Sequence, residues 1–162
     1  MARKLYVVNK NNEIIFEEDA TLVHEQGLLH RSVHVILINK KGEFFCRKIN
    51  QKSPFYKGYW STATGAHLEV GMTIKETAQK SLQKLLGIQH LDLDYIGNIY
   101  VKDEVEHEIS ATFISFAEGP FTINKDFLED GQFFSWNDLQ ELQNRGSITP
   151  HLIRSIELYL KK

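Results

Sequence analysis

The chain has 162 residues, enough for one domain (1–162) with a sizeable core, and its 42% hydrophobic and 25% charged residues are ordinary for a soluble globular protein. A formal net charge of −2 without a basic tract argues against a nucleic-acid or anionic-membrane partner. The single Cys46 excludes an intrachain disulfide framework and no stretch reaches membrane-spanning length, so the expected location is cytoplasmic.

Residues 1–20 read as an N-terminal hairpin, with Leu5–Val8 and Glu13–Phe16 flanking a polar turn at Asn9–Asn12. Val33–Ile38 and Glu43–Ile49 are β-rich runs around Asn39-Lys-Lys-Gly42, a second hairpin. The polar stretch 50–57, with Pro54, is a loop; Trp60–Thr64 is β-compatible and leads into a loop over Gly65–Gly71. Thr73-Ile-Lys-Glu76 is a capping-box sequence that opens a helix, Gly87 closes it, and Ala78, Leu82, Leu85 and Leu86 form its apolar stripe. Leu93–Val101 and Ile109–Phe116 are two further strands. Gly131–Trp136 is a short strand running into a helix over 137–144, and Thr149-Pro150 caps a final helix, His151–Leu160. Strands interleaved with a central and a C-terminal helix indicate a mixed α/β sandwich.

The stretch from Gly58 to Ile88 resembles a Nudix box, whose pattern is G-x5-E-x7-R-E-U-x-E-E-x-G-U with U aliphatic. The pattern falls on Ala66, Met72, Lys80, Ser81, Leu82, Lys84, Leu85, Gly87 and Ile88 (residues 66–88). Aliphatic and terminal-glycine positions agree and Lys80 keeps the cation, but each glutamate is replaced, so the box is degenerate. Four further stretches resemble the branch of the superfamily that holds the isopentenyl diphosphate isomerases: Val23-His-Glu-Gln-Gly-Leu-Leu-His-Arg31, Lys57-Gly-Tyr-Trp60 with Gly65-Ala-His67, Glu106-His-Glu108, and Phe133-Phe-Ser-Trp-Asn-Asp-Leu-Gln-Glu-Leu142. The resemblance implies an α/β/α sandwich with a mixed central sheet.

It also implies a hydrolase of a nucleoside diphosphate-X or other organic diphosphate. With the magnesium-binding glutamates of the box replaced, the standard activity is expected to be weak or absent. On the box helix, Ser81 and Lys84 are expected in solvent and Leu85 in the core. Glu69 in the preceding loop is a candidate to meet a metal or orient water. The isomerases bind a metal with three histidines and two glutamates outside that helix. Carried over by position, His30, His67, Glu106 and Glu108 match that set, and His24 is a looser match by one residue of spacing. Glu106 and Glu108, two apart on a strand, point to one face. Such a donor set suits zinc, manganese or iron better than magnesium. Glu108 is also the glutamate that acts with the isomerases' cysteine. That cysteine's position is Gly65 here, and Cys46 is on another strand, which argues against isomerisation.

Relatives grip a diphosphate with cations around the second hairpin, which makes Arg31, Arg47, Lys48 and Lys52 candidate substrate-binding residues, with Trp60 as a pocket wall. The plain alternative for the lysines is edge protection of the hairpin, and for Trp60 the core. His34 reads as a packed or surface histidine. A small-molecule diphosphate or nucleotide is the expected partner. The second functional reading is a fold that binds such a ligand, a nucleotide or an isoprenoid diphosphate, as a sensor without cleaving it.

Overall fold

The computed structural model describes residues 3–162. The strands are β1 (Lys4–Val8), β2 (Ile14–Asp19), β3 (His30–Ile38), β4 (Phe44–Ile49), β5 (Trp60–Ser61), β6 (Thr64–His67), β7 (Asp94–Lys102), β8 (His107–Phe116) and β9 (Leu128–Phe134). The helices are α1 (Ala20–Glu25), α2 (Ile74–Leu86), α3 (Trp136–Asn144) and α4 (Pro150–Leu160). All nine strands join one mixed sheet with β3 as its hub, pairing antiparallel with β1, β4 and β6 and parallel with β8.

Strand β3 reads His-Arg-Ser-Val-His-Val-Ile-Leu-Ile and is buried along nearly its whole length, as a central strand covered on both faces must be. Alternation sends its side chains to two different cores. Val33, Val35 and Leu37 pack with Leu82, Leu85 and Leu86 of α2, whereas Ile36 and Ile38 pack with Leu152, Ile153 and Ile156 of α4. Helices therefore cover opposite faces, the α/β/α layering expected from the sequence. On the α4 face the first three positions are polar: His30, Ser32 and His34. That change from polar to apolar along one face fixes where a site can form.

The α2 boundaries follow their local chemistry. Thr73 Oγ1 accepts the Glu76 N–H, and Gly87 takes the left-handed conformation (φ 68°) that lets its N–H return to Gln83. Two elements depart from the sequence expectation. Residues 20–25 form the short helix α1, whose N-cap Asp19 makes no side-chain capping bond, so no start signal marks it. Residues 64–67, expected mostly as loop, form β6, held in register by β3: Ser32 faces His67 and His34 faces Gly65. No helix among the described residues is long and apolar enough to cross a membrane.

Cys46 lies on β4, fully buried in the core shared with α4, and burial pushes its thiol up. Iodoacetamide at mildly alkaline pH is expected to leave the folded protein unlabelled and to label Cys46 fully in concentrated guanidinium chloride, read by intact mass.

Candidate metal centre and cationic cavity

Three strands and a helix converge their imidazoles and carboxylates at the polar end of β3. The parallel register sets His30 beside Glu108, and the β3–β6 ladder sets His67 beside Ser32. Glu106 arrives from the β7–β8 turn, where the Asp103 carboxylate accepts the N–H groups of Val105 and Glu106. Helix α1 supplies His24. Its Nδ1 donates to the Ala20 carbonyl at 2.8 Å, and His30 Nδ1 donates likewise to the Leu28 carbonyl at 2.9 Å. A carbonyl can only accept, so both rings carry a proton on Nδ1 and aim Nε2 inward, the second-sphere bond that fixes ligand tautomers at metal sites.

The inward atoms are close. His24 Nε2 is 2.8 Å from Glu106 Oε1, His67 Nε2 is 2.7 Å from Glu106 Oε2, and the His24 and His67 Nε2 atoms are 3.2 Å apart. His30 and His67 Nε2 both lie 3.3 Å from Glu108 Oε2. Donors bonded at about 2.1 Å to one ion stand about 3.0 Å apart at right angles and about 3.4 Å apart at the tetrahedral angle. The observed set clusters around those values. Two of its buried atoms, His30 Nε2 and Glu106 Oε1, have no hydrogen-bond partner. A divalent cation would satisfy both, so the donors fit the ion that the resemblance implies.

Burial works against charge on His67, but its hydrogen bonds to the Glu106 and Glu108 carboxylates outweigh it and raise its pKa to about 10. Burial likewise opposes ionisation of Glu108, and the surrounding imidazoles, His151 first and then His30 and His67, overcome it, holding the carboxyl well below its usual value.

A second cluster lies behind the first. His151, near the start of α4, holds Glu108 Oε1 at 2.5 Å through Nε2, and its ring stacks on His34 at 4.5 Å with a 21° tilt. In-plane lone pairs of two nearly parallel rings do not converge within a bond length, so His34, Glu108 and His151 form no single-ion ligand set. His151 instead restrains the Glu108 carboxylate. His34 Nδ1 bonds Thr62 Oγ1 at 2.7 Å, and Arg47 Nη1 donates to the same hydroxyl and to the Thr62 carbonyl. Burial first, then the neighbouring His151 and Arg47, keep the pKa of His34 well below normal. A Cβ at Gly65 would lie 2.7 Å from His34 Cε1 and 3.1 Å from Arg47 Nη2. The space beside Gly65 is thus filled by His34, which the sequence alone had left as packed or surface.

Both clusters open onto a cavity of about 1140 Å³. Glu69, Arg47 and Lys52, three of the sequence candidates, line it. Arg47 is buried, its pKa lowered by burial only to about 10, and among the described residues no carboxylate pairs with it. Three sequence candidates lie elsewhere. Arg31 turns to the first hairpin, where Nε and Nη2 donate to the side chain and carbonyl of Asn12. Lys48 pairs with Glu129 at 3.7 Å and lies over Trp60. Trp60 itself packs on Phe134 in the α4 core. The alternation of β3 and β4 decides these placements, and the resemblance did not carry it. On α2, Ser81 is buried rather than solvated, donating to Thr64 Oγ1 at 2.8 Å, while Leu85 is core as expected. Sequence reasoning missed Arg3, Lys80 and Lys84 as cavity residues, and His151, which no motif marks. Phe55, also unforeseen, packs on the rings of His24 and His67 at 4.6 and 5.6 Å and shields the centre from the 50–59 loop.

No family model matches the chain. An isopentenyl-diphosphate Delta-isomerase of Serratia proteamaculans is 23% identical over 155 residues, 93% of this chain and 84% of that protein. An uncharacterised Nudix hydrolase of Pseudomonas aeruginosa is 22% identical over 85% of this chain and 82% of its own length. Among solved structures, the Nudix domain of Shewanella oneidensis NrtR complexed with ADP ribose matches with a TM-score of 0.63 at 10% identity, over 81% of this chain and 86% of that one. This is a Nudix-fold protein. DR0079 of Deinococcus radiodurans shares the fold with a TM-score of 0.75 at 14% identity, over 90% and 91% of the two chains. The relatives in sequence are Nudix hydrolases and isopentenyl diphosphate isomerases, the two groups that the motifs resemble.

Gly65→Ala is expected to destabilise this Nudix-fold protein by about 1–3 kcal/mol, since His34 is pinned by Thr62 and His151 and cannot swing away; thermal unfolding measures it. In chelator-treated protein, the raised His67 pKa stabilises fully below 6.5 and loses that contribution as pH rises to about 10. The depressed Glu108 contributes above its ordinary 4.5 and loses it as pH falls through its lowered value. The melting temperature is therefore expected to decline from pH 7 to 10, and His67→Gln to flatten that decline.

Proposed function

We propose that the chain is a metal-dependent hydrolase of a nucleoside diphosphate-X or other organic diphosphate, with its metal held by His24, His30, His67, Glu106 and Glu108. The observation that carries this reading is the pair of orphaned buried atoms, His30 Nε2 and Glu106 Oε1, inside a donor set already spaced for one ion. Three imidazoles with two carboxylates favour manganese or zinc over magnesium. A cation there supplies Lewis acidity toward a phosphoryl oxygen and lowers the pKa of a water. The chain's own residues do the rest. His151 fixes the Glu108 carboxylate, Arg47 offers a buried guanidinium with no anionic partner among the described residues, and Phe55 excludes solvent from the His24 and His67 rings. Glu69, on the cavity wall, is the residue we assign to orienting water. The degenerate box then leaves magnesium-dependent chemistry on α2 weak or absent. Arg31, Lys48 and Trp60 have no part in the proposed site.

One observation favours the sensor reading: none of the α2 residues lining the cavity is acidic. In that case the cavity binds a nucleotide or isoprenoid diphosphate without cleaving it, much as ADP ribose is bound in the NrtR structure.

Metal analysis of the purified protein is expected to find a transition metal in near-stoichiometric amount, lost from the His67→Ala and Glu106→Gln variants. A screen of organic diphosphates with manganese should show turnover that falls at least about a hundredfold in the same variants. Absence of both metal and turnover, with ADP ribose still raising the melting temperature, would replace the hydrolase by the sensor.

A further inference from the structure

The helix that carries acidic grips in a Nudix box still faces the cavity, and it presents two ammonium groups there: Lys84 at a glutamate position of the pattern, and Lys80 at the position that is cationic in the pattern too. Lys80 and Lys84 are four residues apart on one face of α2, and both line the cavity whose other walls include His67, Glu106 and Glu108. No carboxylate lines the cavity from α2, where a hard cation would meet only the neutral side-chain oxygens of Thr77, Ser81 and Gln83. The Ser81 hydroxyl already bonds Thr64 and the Ala78 carbonyl, and Leu85 is in the core. Among the described residues neither lysine has a carboxylate in ion-pair range, and the Lys84 ammonium lies 4.3 Å from the ring centre of Phe127, another cavity residue.

An independent observation comes from the facing strand. Arg47 is 9% exposed, lines the same cavity and carries its charge without an anionic partner among the described residues. A buried guanidinium left so is costly unless an anion arrives. Arg3 and Lys52 add charge from two more segments. Of the cavity's carboxylates, Glu106 and Glu108 are committed to imidazoles, which leaves Glu69 and Asp126.

We infer that Lys80 and Lys84, with Arg47 opposite, grip the diphosphate of the ligand directly and without magnesium. This rests on the reading of the cavity as a diphosphate pocket and names how that pocket works. A magnesium ion at a diphosphate neutralises charge and spans two oxygens, but it needs carboxylates to hold it. Lysine neutralises the same oxygens as a point charge and needs no such ligands. Lysine activates no water, so recognition and chemistry separate: the anion is held at α2 while any bond cleavage depends on the His/Glu centre.

Calorimetric titration of the full chain with inorganic pyrophosphate, in EDTA and then in excess magnesium at matched ionic strength, tests this. EDTA empties the His/Glu centre, so binding there reports the cationic grip alone. Saturable single-site binding is expected in EDTA, strengthened by magnesium no more than about threefold. The Lys80→Glu/Lys84→Glu variant should weaken it at least about tenfold with an unchanged melting temperature, and the Lys40→Glu/Lys41→Glu control, of equal net charge, should not. Pyrophosphate that binds only with magnesium overturns the inference and leaves the hydrolase reading standing. Binding in EDTA that the α2 variant leaves intact, or that the control weakens equally, also overturns it. No binding under either condition overturns both the inference and the diphosphate reading of the cavity.

Discussion

Two carboxylates taken out of water at the start of β8 set the terms for this site. Glu106 and Glu108 are 6% and 1% exposed, and ionised groups buried that deeply persist only when compensated. Imidazole hydrogen bonds provide part of the compensation, His67 to Glu106 and His151 to Glu108, while His24 and His30 stand beside them with their Nε2 atoms turned inward. The balance is incomplete by two unpartnered atoms, both turned to one point. The protein thus holds a preformed set of lone pairs that its own protons and donors do not satisfy.

The sheet makes this arrangement possible because β3 serves two cores at once. Its α2-facing residues are apolar throughout from Val33, whereas its α4-facing residues change from His30, Ser32 and His34 to Ile36 and Ile38. The same division extends across the ladders. Glu108, Ser110 and Thr112 of β8 continue the polar row on one side, and His67 and Gly65 of β6 on the other. Apolar packing further along the strands supplies rigidity, so the polar end can be spent on positioning donors.

The surroundings of Gly65 bear on the isomerase pattern that the sequence resembles. The position of the isomerases' cysteine is a glycine whose vacant volume is taken by the His34 ring and the Arg47 guanidinium. His34 stacks in turn on His151, and His151 holds the glutamate. These residues form one packed unit reaching from α4 to β4, so a side chain restored at Gly65 alone would meet it as an obstacle. Glu108 thus has His151 and the His34 ring behind it and no thiol beside it among the described residues.

Local chemistry was legible in the chain itself. The Thr73 and Thr149 caps, the Gly87 stop, the strand runs at β3, β4, β7 and β8, and the likeness of His30, His67, Glu106 and Glu108 to a ligand set all depend on residues near one another in sequence or on a motif. What the sequence could not decide was orientation. Arg31 and Arg47 look equivalent in the string, yet one strand's alternation turns Arg31 to Asn12 while another's aims Arg47 into the cavity. His151 carries no signal at all, because its role depends on α4 crossing the polar end of β3. Ser81 was read from its neighbours as solvated, and only the seating of α2 on β6 made it internal. Ladder register and helix docking are long-range outcomes of core packing, and they alone determined which of the candidate side chains share one cavity.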